Sequence, residues 1–113
     1  MDLFRHEGIE KDLHALKRFA APRESLEAWE RFFSFKGLKE TPGISSFPGF
    51  GSSRIYKGRI VPLKENVGKS KGYRVIFELK EEQYYHILVF SRHGIYHDER
   101  DLMRLVKIRL EGG

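Results

Sequence analysis

The chain has 113 residues, 40% hydrophobic and 33% charged, which suits one globular domain spanning residues 1–113 and excludes a disordered or fibrous protein. It contains no cysteine, so disulfide frameworks, thiolate catalysis, Fe–S clusters and Cys-ligated zinc are all excluded. The net charge is +5 and the pI near 9.6; no apolar run reaches membrane-span length, and the start lacks the apolar core of a signal peptide, so a cytoplasmic protein with no membrane partner is expected.

Ile9, Leu13, Leu16 and Phe19 recur at helical spacing among charged residues, which predicts an amphipathic helix over 9–19. After Ala20-Ala21-Pro22 a second helix is expected, with Pro22 in its first turn, Leu26, Trp29, Phe32 and Phe33 as its core stripe, and Gly37 as its stop. Residues 38–53 hold two Pro-Gly pairs and four serines, the composition of a loop, with Ile44, Phe47 and Phe50 to pin it onto the body. The period then changes to about 2: Arg54 to Leu63, Gly72 to Leu79 and Tyr84 to Ser91 read as three consecutive strands, the last two joined by a turn at 80–83. Asp98 to Leu110 reads as a closing helix with Asp98 as its cap. The order predicts an α+β fold: an N-terminal helical hairpin, an antiparallel β-sheet meander and a C-terminal helix, with the helices on one face of the sheet.

The charge is unevenly placed. Residues 1–50 carry eight basic and eight acidic side chains, and residues 51–113 carry thirteen and eight. Between 54 and 74, Arg54, Lys57, Arg59, Lys64, Lys69, Lys71 and Arg74 are opposed by Glu65 alone. A solvated face would look like this, and so would a surface that binds a polyanion by releasing its counterions. Gly68-Lys69-Ser70 imitates the end of a P-loop, but Leu63 stands where the leading glycine belongs and a strand follows where a helix should open. His93 and His97 are four apart, a metal-ligand spacing only on a helix; Gly94 and Ile95 argue against one, so no metal and no cofactor is expected. With Arg92 and Tyr96 the same stretch gathers proton-transfer groups and a phosphate-holding cation between the last strand and the last helix.

Gly72-Tyr73-Arg74-Val75-Ile76-Phe77, the acidic turn after it, Ile87-Leu88-Val89-Phe90-Ser91, the polar break and the terminal helix together resemble the RelE/ParE superfamily of type II toxins, and Ile9-Glu10-Lys11-Asp12-Leu13 looks like that family's first helix. The resemblance covers most of residues 5–110, although the loop at 38–53 is longer than in short members. It implies either an endoribonuclease that cuts mRNA on the ribosome or a relative of the branch that poisons DNA gyrase; a plain nucleic-acid-binding module is the third possibility. For the ribonuclease it implies a metal-independent reaction in which the ribose 2′-hydroxyl attacks the neighbouring phosphate. Arg74 matches the family's strand arginine for phosphate stabilisation, and Arg92 stands where a second arginine is common. Lys57, Arg59, Lys64, Lys69 and Lys71 qualify as a set for RNA binding, and His93, Tyr96 and His97 are the acid and base candidates. A cognate antitoxin is the implied partner.

Overall fold

The change of period near residue 54 is realised as a change from helices to sheet. In the computed structural model, which describes residues 2–66, 71–96 and 98–112, the elements in chain order are β1 (Asp2–Arg5), α1 (Ile9–Ala15), α2 (Pro22–Glu40), β2 (Ile44–Ser46), β3 (Arg54–Ile60), β4 (Tyr73–Glu81), β5 (Tyr84–Arg92) and α3 (Glu99–Leu110). The strands form one sheet of order β1-β5-β4-β3-β2. The fold is α+β with a largely antiparallel sheet, β1 alone running parallel to its neighbour β5. Among the described residues no helix is long and apolar enough to cross a membrane.

The helices do not share one face. Leu13, Leu26, Trp29 and Phe33 of α1 and α2 pack on Tyr73, Val75, Phe77 and Ile87, whereas Leu102 and Val106 of α3 pack with Ile55, Ile76, Leu88 and Val89 on the opposite face. The physical reason is that β4 and β5 are apolar on both sides, and a strand of that kind must be covered twice. The predicted meander is present as β3-β4-β5, but β1 and β2 flank it and were not expected. Both are too short, at four and three residues, to show a period of their own. β2 lies within the predicted loop, where Ile44 packs on one core and Phe47 on the other.

Pro22 opens α2 as expected, and at Gly37 the backbone leaves the helical region (φ 84°, ψ 179°), so the regular helix stops there as predicted and a short turn runs on across the kink to Glu40. That turn ends at Thr41, whose N–H and Oγ1 both donate to the Gly37 carbonyl, at 3.1 and 2.7 Å. Of the predicted stripe, Leu26, Trp29 and Phe33 are buried and Phe32 is exposed. Trp29 stacks on Phe33 with ring centroids 4.8 Å apart, and Phe33 meets Phe77 and Tyr85 edge-on.

Gly72 stands just before β4, and its φ is not positive. A Cβ there would lie 2.2 Å from the Ile60 carbonyl oxygen and 2.8 Å from Pro62, so the glycine lets β3 and β4 close at the end where Arg74 sits. Because the first obstacle is backbone, Gly72→Ala is expected to destabilise by about 1–3 kcal/mol, as overpacking typically does. Thermal denaturation checks it; an unchanged melting temperature would show that the strands can part there without loss.

Candidate phosphate-binding cleft

The site grows from the face of the sheet that α3 covers only in part. On that face β3 contributes Lys57 and Arg59, β4 contributes Arg74 and β5 contributes Ser91; Arg74 stands opposite Arg59 on one side and Ser91 on the other. Asp98 caps α3 by accepting from the Asp101 N–H at 3.1 Å, as the sequence predicts, and the first turn of the helix rises beside these residues. Sheet, helix start and the β5–α3 connection enclose a cleft of about 330 Å³ lined by Lys57, Arg74, Ser91, His93, Tyr96 and Glu99.

Two guanidinium groups facing each other across a ladder repel. Burial first, and then Arg59, push the Arg74 guanidinium below its ordinary pKa. Arg74 donates to the Gly72 and Tyr73 carbonyls, both at 3.3 Å, long bonds that hold the side chain along β4. An anion arriving here would relieve the repulsion and take charge-assisted bonds from a planar donor fork. Lys57 reaches into the cleft with Nζ 2.9 Å from the Glu99 carboxylate, so an acidic group of α3 occupies part of the space a phosphate would want. The Tyr96 hydroxyl is raised above the usual phenol pKa, chiefly by burial, with the Asp12 carboxylate adding to it and Arg109 opposing. At neutral pH Tyr96 is therefore a proton donor.

The remaining predicted residues divide. His93 is exposed at the rim of the cleft and Arg59 lies exposed beside Arg74. Lys64 and Lys71 are exposed and do not line the cleft; Lys69 and His97 fall outside the described residues. Arg92 lines the cleft as well, but its guanidinium is engaged on the other side of the sheet. Its guanidinium donates twice to Glu65, at 2.7 Å each, and lies over the rings of Phe19 and Tyr73 on the α1 and α2 side of the sheet. Arg92 holds the Glu65 carboxyl below its usual pKa and clamps the segment after β3 to the end of β5.

The cause is a β-bulge. Phe77 pairs with Ile87 but Ile76 pairs with Val89, leaving Leu88 as the extra residue. One inserted residue exchanges the two faces for everything after it. Regular alternation would set Arg92 on the Arg74 face; the bulge sends it to the other side and brings Ser91 to the cleft. Ser91, like Glu99, is a lining residue that sequence reasoning missed. Its signal, a lone hydroxyl ending the run Ile87 to Phe90, is readable only when the bulge is known. His6, His14 and His86 lie away from the cleft: the ring of His6 accepts from the Gly8 N–H and faces His86 at 5.8 Å, and His14 is exposed.

No protein family, curated protein or solved structure matches this chain.

Proposed function

We propose that this protein is a metal-independent endoribonuclease of the RelE/ParE kind, a toxin that cuts mRNA on the ribosome in the cytoplasm and is silenced by a cognate antitoxin. The observation that carries the reading is the convergence of Arg74, Lys57 and Arg59 on one sheet face, beside Tyr96 and His93. RNA cleavage by its own 2′-hydroxyl needs few groups. His93 at the rim takes the 2′-hydroxyl proton, the 2′-oxygen bonds to phosphorus, and Arg74 with Lys57 holds the charge that collects on the phosphorane. Tyr96 gives its proton to the departing 5′-oxygen as the P–O5′ bond breaks, leaving a 2′,3′-cyclic phosphate and a 5′-hydroxyl. The phenol is protonated at neutral pH, so it has a proton to give to the strongly basic oxygen that leaves.

Expression of the chain in a bacterial host, with growth followed and RNA 5′ ends mapped, tests the reading. Growth arrest with new cuts inside translated messages is the expected result. Arrest without cuts would replace the ribosome by a topoisomerase as target, and soluble protein that binds RNA but neither cuts it nor arrests growth would make it a binding module. Tyr96→Phe removes only the acid, and it is expected to slow single-turnover cleavage by about 10²–10⁴ with little change in RNA binding. An unchanged cleavage rate would take the proton-donor role away from Tyr96.

A further inference from the structure

Ser91 is 5% exposed, and its Oγ is buried without a hydrogen-bond partner among the described residues. Buried hydroxyls in folded proteins are nearly always satisfied, so an orphan of this kind calls for a reason. The surroundings supply one. Ser91 faces Arg74 directly across the β4–β5 ladder and lines the same cleft as Lys57. A nucleophilic role does not fit, because a serine nucleophile needs a base within hydrogen-bond reach and none of the described residues bonds to this oxygen. A hydroxyl among cations matches a ligand that brings acceptor oxygens and negative charge together.

We propose that Ser91 is a substrate-binding residue: its hydroxyl donates to a non-bridging oxygen of an RNA phosphodiester whose charge Arg74 and Lys57 hold. The proposal rests on the RNA-cleaving reading above and adds a neutral contact to its cationic ones. Arginine and lysine hold a phosphate by charge from several directions, whereas one short hydroxyl on a rigid strand fixes where the phosphate stops. The bulge at Leu88 then has a function, since it turns Ser91 into the cleft.

The experiment compares wild type, Ser91→Ala and Arg74→Ala for binding of a short 2′-O-methyl RNA, which cannot be cut, by fluorescence anisotropy over a salt series, together with thermal denaturation. Ser91→Ala is expected to bind about tenfold more weakly, the usual effect of losing a hydrogen bond to a charged group. Its salt dependence should equal that of wild type, because no cation is lost, whereas Arg74→Ala should show a slope lower by about one. Its melting temperature should be equal or higher, because an unsatisfied buried hydroxyl has been removed. Affinity within twofold of wild type, or a lowered melting temperature, would overturn the inference and make Ser91 a packing residue while leaving the RNA reading standing. A wild-type protein that fails to bind this RNA in a salt-dependent way would overturn the RNA reading, and the role of Ser91 with it.

Discussion

Arg74→Ala is expected to lower the rate of RNA cleavage by about 10²–10³, the usual loss when a group that stabilises developing oxyanion charge is removed. Arg74 sits at the centre of the cationic face, one ladder position from Arg59 and across from Ser91. Growth arrest should disappear with it. Arg74→Lys keeps the charge but loses the planar fork, and an intermediate rate is expected. Removing the guanidinium relieves its repulsion with Arg59 but also removes its bonds to the Gly72 and Tyr73 carbonyls, so a small change in stability is expected. Single-turnover cleavage beside thermal denaturation separates the two effects. A folded Arg74→Ala protein that remains fully toxic would refute the assignment of Arg74 to phosphate stabilisation.

The largest effect on stability is expected at a buried ion pair between α1 and α3, whose charges also reach the Tyr96 hydroxyl. Arg109 of α3 donates to both carboxylate oxygens of Asp12 in α1, at 2.7 and 2.8 Å, and both side chains are buried. Asp12 also accepts from the Phe90 N–H at 2.9 Å, while Arg109 donates to the Leu88 carbonyl at 2.7 Å. β1 pairs with β5 only as far as Ile87, so beyond that point these two side chains do for the edge of β5 what a neighbouring strand would do. Asp12→Ala and Arg109→Ala are each expected to cost about 3–5 kcal/mol, the range for breaking one partner from a buried pair. An apolar replacement of both, Asp12→Leu with Arg109→Met, rescues some buried pairs in other proteins. Here it should not, because the Phe90 N–H and Leu88 carbonyl would be left unpaired, at about 1–3 kcal/mol each. Chemical denaturation of the three variants measures this. A double variant as stable as wild type would show that water or a shift of the strand satisfies the edge.

Elements with a period of their own were legible in the sequence: α2 through Leu26, Trp29 and Phe33, β4 through Tyr73, Val75, Phe77 and Leu79, and α3 through its Asp98 cap. What escaped depended on pairing between distant segments. β1 is held by a parallel partner more than eighty residues away, and nothing in Asp2-Leu3-Phe4-Arg5 announces that. Lys57, Arg74, His93 and Tyr96 could be singled out because their chemistry is visible in the residue type. The direction of the Arg92 guanidinium and the place of Ser91 in the cleft were not legible, since both depend on the one extra residue at Leu88. Asp12 and Arg109 looked like ordinary charged positions on helix surfaces; burial of both arises only when α1 and α3 meet at the β5 edge.

The Asp12–Arg109 contact closes a loop of 97 residues, and this sets an order for events during synthesis. The meander from β3 to β5 is local and can form early, whereas β1 and α1, made first, must wait for β5, and α1 must wait longer still for the last turn of α3. The start of α3 is also a wall of the cleft. A nascent chain thus has the cationic strands before it has a closed site, and it acquires the enclosed geometry only as the final helix docks. A protein proposed to cut messages on ribosomes would thereby stay inert on the ribosome that makes it until α3 has been made and has docked.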